Sequence, residues 1–453
     1  MVKPTHPGDV PSADSAPAGT RATLRRVAGA SVIGSTLEWY DFFLYATASA
    51  LVLGQVFFPT ADPVVSTLLS FATFGVGFAA RPIGSIIFGA IGDRVGRKPA
   101  LVATLLLMGV STTLIGLVPG YDTIGVVAPL LLVLLRLAQG LGAGAELAGA
   151  TIFAAEFSPP HRRGLFGSIA TIGTYSGTVL SSVIFALFAL MPEDAFLAWG
   201  WRVPFLVSII VVGVGIYIRL QLDETPEFKQ AERRNDVAGV PLVSVFRHEW
   251  RSFLLVIGIV AGAFTATYAY QTYSLSYMKN NLGITSSIGT LAIAIAAFVA
   301  MLMVPLMGAL SDRIGRRPVL IAGSAISALF AFPFFMLLNT GKSPLIILAM
   351  IGGIGIGVPT ILGVQGVLLT ELFSTRNRFT GFSVSREIGA IVFAGATPFV
   401  AASLVGAAGG ASWPVSLYVI GACLITLITG LVMREPAPVR EQLTPPAPSA
   451  TNG

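Results

Sequence analysis

The segment Gly89–Leu101 reads GAIGDRVGRKPAL, and Gly308–Leu320 reads GALSDRIGRRPVL. Asp93, Arg94, Gly96, Arg97 and Pro99 of the first recur as Asp312, Arg313, Gly315, Arg316 and Pro318 of the second. A weaker echo follows each copy, with Glu156, Arg162, Arg163 and Gly164 matched by Glu371, Arg376, Arg378 and Gly381. Long apolar runs bracket every one of these polar turns. The chain is therefore one unit written twice, and its fold must be one that two copies of that unit build together.

Counting outward from the repeated turns gives the unit. A bilayer core about 30 Å thick takes roughly 20 apolar residues per helix. Twelve runs of that kind emerge, from Val27 to Leu53 at the start to Pro414 to Met433 at the end, six on each side of a polar connection. Barrel strands do not fit, because the runs are too long and too continuously apolar. The expected fold is an all-α membrane protein of twelve transmembrane helices in two pseudo-symmetric six-helix bundles. Residues 1–26 read as a disordered cytoplasmic tail, 27–220 as the N-terminal bundle and 221–250 as a cytoplasmic linker. Residues 251–433 read as the C-terminal bundle, and the Pro-rich 434–453 as a second disordered cytoplasmic tail.

Composition agrees. The 453 residues are 54% hydrophobic and 11% charged, far below the charged share of soluble domains, and the mean hydropathy is +0.81. The formal net charge of +6 would suit nucleic acid only if the cations clustered on a soluble face, and they do not. With the N-terminus inside, nearly all of the 28 Lys and Arg fall in cytoplasmic turns. Arg202, Lys279 and Lys342 alone fall outside, and Arg81, Arg136 and Arg386 lie within spans. This asymmetry places both termini in the cytoplasm and excludes nucleic acid as a partner. The single cysteine, Cys423, lies in an apolar run and reads as a buried, inert thiol.

Ionisable residues in hydrocarbon are costly, so each is a functional candidate. The carboxylates are Glu38, Asp41, Glu146 and Glu387, and the guanidinium groups are Arg81, Arg136 and Arg386. His6, His161 and His248 all fall in the tail or cytoplasmic turns, so proton coupling must use carboxylates. Asp41 rises with the first helix and Arg136 descends with the fourth, which puts both roughly 18 Å from the outer edge, where they could meet. Burial favours a neutral carboxyl and a nearby guanidinium favours its anion, as a proton switch requires. A permanent ion pair that only fixes packing is the alternative. Glu146 and Arg81 lie nearer the cytoplasm and could pair with each other. Arg386 and Glu387 are neighbours early in the eleventh helix. Gln139, Tyr175, Tyr268, Gln271 and Gln365 are candidates for substrate contact, while Tyr277 and Tyr273 suit interface anchoring.

The combination resembles the major facilitator superfamily, and within it the metabolite:proton symporter family. The resemblance rests on the doubled turn, LEWYDFFLY at Leu37–Tyr45, FGVGFAARPIGSIIFGAIGDRVGRK at Phe74–Lys98, RLAQGLGAGAE at Arg136–Glu146, WGWRVPF at Trp199–Phe205, DETPEF at Asp223–Phe228 and ELFSTRNRFTGFS at Glu371–Ser383. It covers nearly the whole chain outside the tails. It implies that Asp93, Arg94, Arg97, Asp312, Arg313 and Arg316 form a cytoplasmic latch. It also implies that Arg136 takes part in proton movement, beside the close-packing glycines Gly140, Gly142 and Gly144.

The expected activity is proton-coupled uptake of a small organic acid or zwitterionic metabolite by alternating access in the plasma (inner) membrane. Proton coupling falls to Asp41, Glu38, Arg136 and Glu146, and substrate contact to Arg136, Gln139, Tyr175, Tyr268, Gln271 and Gln365, with Arg81, Arg386 and Glu387 as secondary candidates. A small-molecule substrate, protons and the lipid bilayer are the partners, and a monomer is the expected working unit. The competing readings are a proton-coupled exporter, disfavoured because the fifth helix GLFGSIATIGTYSGTVLSS has no proline, and a transporter-derived sensor. No phosphate-binding loop, metal set or nucleophile with its base is present in the motifs, so neither a cofactor nor an enzyme is expected.

Overall fold

The computed structural model describes residues 18–60, 62–95, 97–143, 162–220, 247, 249–374 and 378–435. Among them regular structure is helical throughout. The principal helices are α1 (Ala18–Leu51), α2 (Pro63–Val95), α3 (Arg97–Leu117), α4 (Val127–Ala143), α5 (Arg163–Phe188) and α6 (Arg202–Leu220) in the first half. The second half holds α7 (Trp250–Asn280), α8 (Ser286–Ile314), α9 (Arg316–Leu338), α10 (Ser343–Glu371), α11 (Thr380–Ala407) and α12 (Trp413–Val432). Among the described residues nine helices are long and apolar enough to cross a membrane alone, and a tenth is reached if Glu193–Gly200 and Arg202–Tyr217, bent by 41°, are taken as one span. The remaining two are α1, whose apolarity is broken by Glu38 and Asp41, and α4, whose described part has 17 residues.

The packing repeats with an offset of six helices. Within the first half α1 lies on α5, α2 on α4 and α3 on α6; within the second, α7 lies on α11, α8 on α10 and α9 on α12. The halves meet where α5 packs on α8 and α2 on α11. Exchanging each helix for its counterpart converts one of these contacts into the other, which is the signature of a two-fold axis between the bundles. The solvent pattern of a soluble protein is inverted. Leu130, Leu134, Ile209, Ile210, Leu329 and Met336 point outward, whereas Glu38, Asp41, Arg81 and Arg136 are at most 2% exposed. An outer surface of this kind has lipid as its solvent.

Three helices of the second half are interrupted by π turns, at Ala269–Tyr273 in α7, Ile351–Gly357 in α10 and Ile391–Gly395 in α11. In the first half the described π turn, Phe196–Gly200, lies before α6.

Contacts join the halves at both ends. At the end that carries the doubled turns the backbones of α5 and α8 touch at glycines, so that a Cβ added at Gly308 would stand 2.5 Å from the Gly164 carbonyl oxygen. There the Asp312 carboxylate accepts hydrogen bonds from the Gly164 and Leu165 amides, 2.8 and 3.0 Å away, at the N-terminus of α5. On the outer side Lys279 donates to the Leu51 carbonyl at 2.9 Å and lies 3.7 Å from Glu193.

Several boundaries differ from those read in the sequence. α1 begins at Ala18, so residues 18–26 are helical; their Ala, Leu and Arg are good helix formers and extend the span into the cytoplasm. Glu435 is ordered, accepting from the Arg316 and Arg317 amides at 2.6 and 3.0 Å, so residues 434–435 are not free tail. The fourth span begins at Val127, after a turn at Gly125 with φ of 59°. Tyr273 and Tyr277 are buried, and Tyr277 donates to Asn339 at 2.8 Å; α7 is enclosed by its neighbours, so these rings do not anchor at the lipid boundary. The linker, both tails beyond these limits, and Glu146 lie outside the described residues.

Gly308→Val is expected to hold α5 and α8 apart and disfavour cytoplasmic closure by about 1–3 kcal/mol. Faster labelling of a cysteine placed at Ser311 from the cytoplasmic side checks this; unchanged labelling contradicts it.

Candidate functional site

Between the halves lies a cavity of about 70 Å³. Each wall is a stripe of residues three or four apart, the spacing that brings side chains to one helix face. Trp39 and Phe43 come from α1, Thr171, Thr174 and Tyr175 from α5, Phe264, Thr267, Tyr268 and Gln271 from α7. Leu362, Gln365, Gly366 and Leu369 come from α10, and Phe382 and Arg386 from α11. The π turn of α7 carries Gln271 beside Tyr268, since such turns shift helical register where function needs it.

Four of the substrate-contact candidates, Tyr175, Tyr268, Gln271 and Gln365, line this cavity together. Arg136 and Gln139 do not. Arg136 is buried inside the first half, donating to the Gln139 side-chain oxygen at 2.5 Å and to the Phe74 carbonyl at 3.4 Å. Its guanidinium lies 4.1 Å from the Tyr45 ring centre, 4.7 Å from Phe42 and 5.2 Å from Phe74, so π faces share its charge. The Gln139 amide in turn donates to Thr112 at 2.8 Å and to the Asp41 backbone carbonyl at 3.4 Å.

The expected meeting of Asp41 and Arg136 is therefore indirect. Asp41 lies ten residues before the end of α1 and Arg136 nine after the start of α4, so both stand about 14–15 Å from the outer ends of their helices. Height agrees and azimuth does not. Gln139 stands between them, and the Asp41 carboxylate is fully buried beside the Ser208 and Thr112 hydroxyls, with no charged partner among the described residues.

Glu38 follows a different path. Its carboxylate is 3.4 Å from Arg81 Nη2. Arg81 Nε lies 2.8 Å from Glu387 Oε2, an ion pair misaligned for a hydrogen bond, and Arg386 Nη1 donates to Glu387 Oε1 at 2.5 Å. The order Glu38, Arg81, Glu387, Arg386 alternates in sign and crosses from α1 and α2 to α11. Arg81 also donates to the Ala143 carbonyl of α4 at 3.4 Å, and Glu146, its expected partner, lies outside the described residues. Trp39, Phe42 and Phe78 cover it at 5.4 to 5.8 Å.

The latch residues divide. Asp312 caps α5, and Arg316 donates to Asp312 at 2.7 Å and to Ser311 at 2.9 Å while lying 3.7 Å from Glu371. Arg313 is exposed. Asp93, Arg94 and Arg97 are placed by backbone alone, at the cytoplasmic junction of α2 and α3, and their side chains are outside the described residues. Trp39, Phe43, Phe264 and Phe382, which also line the cavity, were not among the site candidates read from the sequence. The signal was the four-residue spacing that pairs Trp39 with Phe43, Phe264 with Tyr268 and Phe382 with Arg386.

The chain is 40% identical over 425 residues to the glycine betaine/proline/ectoine/pipecolic acid transporter OusA of Dickeya dadantii, covering 91% of this chain and 84% of that protein. It is 39% identical to the inner membrane metabolite transport protein YhjE of Escherichia coli, over 90% and 94% of the two, and 36% identical to the shikimate transporter of the same organism, over 91% and 94%. The family models for sugar (and other) transporters and for the major facilitator superfamily match residues 27–240 and 264–451. The chain belongs to the major facilitator superfamily. A partially occluded, inward-open xylose transporter from Escherichia coli has the same fold, with a TM-score of 0.72 at 17% identity over 91% of this chain and 98% of that one. As a superfamily member the chain is a multi-pass membrane transporter and not an enzyme. The doubled turn marks its two halves, and the cavity lies between them.

Arg81→Met removes the cation shared by two buried carboxylates and is expected to lower stability by about 3–5 kcal/mol. The midpoint of thermal unfolding in detergent measures this. Arg81→Lys should recover part of the loss, and an unchanged midpoint for Arg81→Met contradicts the tie.

Proposed function

We propose that the chain is a proton-coupled symporter that takes up a small organic acid or zwitterion by alternating access of the central cavity. The observation that carries this reading is the pairing of two sites at one level of the membrane. One is a cavity between the halves whose described lining holds a single charged group, Arg386. The other is the buried Asp41, whose main-chain carbonyl accepts from the Gln139 amide while the Gln139 oxygen accepts from Arg136.

The substrate class rests on chemistry. Arg386 supplies a guanidinium fork suited to a carboxylate, and the compounds named for the relatives, betaine, proline, ectoine, pipecolic acid and shikimate, all carry one. Tyr175, Tyr268, Gln271 and Gln365 offer further polar contacts. Arg136 and Gln139 move from substrate contact to coupling. When Arg136 keeps Gln139, the Asp41 carboxyl is isolated and a proton cancels a charge that is costly to bury. When Gln139 turns away, the guanidinium is released toward Asp41 and the proton can leave. A proton entering an inside-negative cell gains about 2.3 kcal/mol per 100 mV, enough to concentrate a neutral solute tens-fold.

Glu38 belongs to the tie that crosses the halves, and Glu146 retains its assignment to coupling. Asp312 and Arg316, with Asp93, Arg94 and Arg97 opposite, act as the cytoplasmic gate, and Arg313 is the most dispensable of the set. The chain works as a monomer in the plasma (inner) membrane with both termini cytoplasmic, in keeping with the bias of Lys and Arg toward one face.

Proteoliposomes loaded at neutral pH and diluted into acid buffer, with labelled glycine betaine, proline, shikimate and succinate, test this. Accumulation that collapses with a protonophore supports symport. Asp41→Asn should abolish accumulation against a gradient while exchange of labelled for unlabelled substrate continues. Gradient-driven accumulation surviving in Asp41→Asn would remove Asp41 from coupling, and accumulation insensitive to the pH gradient in the unaltered protein would remove symport.

A further inference from the structure

Two side chains of the cavity wall carry a hydrogen-bond donor with no acceptor. Trp39 is 6% exposed and Tyr175 is 3% exposed, and neither the Trp39 indole Nε1–H nor the Tyr175 hydroxyl meets a hydrogen-bond partner among the described residues. Both residues line the cavity, Trp39 from α1 and Tyr175 from α5. A buried donor left unpaired costs about 1–3 kcal/mol, so a fold keeps one where something else completes it. Other orphaned groups are explained differently: Tyr270 lies stacked on Phe334 at 4.1 Å, away from the cavity lining.

The surroundings of the two donors indicate what completes them. Trp39 is stacked on Phe43 at 5.3 Å, and Phe43 on Tyr268 at 6.2 Å, so the indole ring is held rather than free to seek a partner. Tyr175 stands on α5, which packs against α1 on one side and α8 on the other. The third donor of the wall, Arg386, already gives Nη1 to Glu387, and its remaining N–H groups are available. No carboxylate lines the cavity among the described residues. A wall rich in unmatched donors and lacking anions calls for an acceptor that is itself anionic.

We infer that Trp39 and Tyr175 are specificity-determining residues that donate to the carboxylate end of the substrate, with the remaining N–H groups of Arg386 as further donors. This deepens the symport reading and rests on it. Because the donors come from α1 and α5 of the first half and Arg386 from α11 of the second, one carboxylate bridges both halves. The remainder of the substrate then lies against Phe43, Phe264, Tyr268 and Phe382.

Trp39→Phe and Tyr175→Phe delete one donor each and keep the ring. Each is expected to raise the dissociation constant of the preferred probe, labelled glycine betaine or shikimate, roughly tenfold or more, the effect of losing a hydrogen bond to a charged group. The second readout is discrimination between each acid and its methyl ester, measured by competition. The unaltered protein should prefer the acid strongly, and the double variant should lose most of that preference, whereas a purely structural change would weaken acid and ester alike. Unaltered affinity in both single variants, or an acid-to-ester ratio preserved in the double variant, overturns the assignment while leaving symport standing. Absence of saturable binding or uptake of every probe by the unaltered protein overturns both.

Discussion

Arg81 is the side chain on which the arrangement turns. It is buried where an unpaired cation is most expensive, and it is shared by Glu38 of its own half and Glu387 of the other. With Arg386 the set holds two positive and two negative groups, so the interior remains neutral while every member depends on its neighbours. Hydrophobic attraction cannot hold helix to helix in lipid as it does in water. The two bundles are therefore joined by a few directional contacts, namely this chain at mid-depth, Asp312 on the N-terminus of α5 at one end and Lys279 at the other. Such contacts can exchange partners without unfolding anything, and a rocking transporter needs that freedom.

The aromatic rings around these charges do as much as the counter-charges. Arg136 has no carboxylate partner among its described contacts and is held by Phe42, Tyr45 and Phe74 with one glutamine and one carbonyl. A π face attracts a cation without binding it in a fixed direction. Arg136 is thereby kept in the membrane interior without being committed to Asp41. Gln139, holding the guanidinium with its oxygen and the Asp41 main chain with its amide, is the piece whose rotation would join them.

Much of this was legible from residues alone, and what was missed has a consistent cause. The doubled turn gave the two halves, and apolar run length gave the twelve helices. Tyr175, Tyr268, Gln271 and Gln365 could be picked out because a polar group inside an apolar run demands a reason. Spacing along one helix gives height, however, and not the direction in which a side chain faces another helix. For that reason the levels of Asp41 and Arg136 could be read but not that Gln139 stands between them, and the reach of Arg81 across to Glu387 of α11 could not be read at all. Tyr273 and Tyr277 were read from a boundary preference that fails for α7, a helix enclosed on all sides. The order of Glu435 depended on a long-range partner, the amides of Arg316 and Arg317, which no local pattern announces.

The π turns divide the labour between the bundles. A π turn gives up the regular ladder of hydrogen bonds for a wider and weaker one, and it is a place where a helix bends at little cost. Among the described residues these turns fall inside α7, α10 and α11, all of which face the cavity, whereas the described parts of α1, α2, α4 and α5 have none. The first bundle is thus the stiff jaw, holding Asp41, Gln139 and Arg136 in fixed surroundings. The second is the pliant jaw, whose helices can flex around a solute before the whole molecule tips.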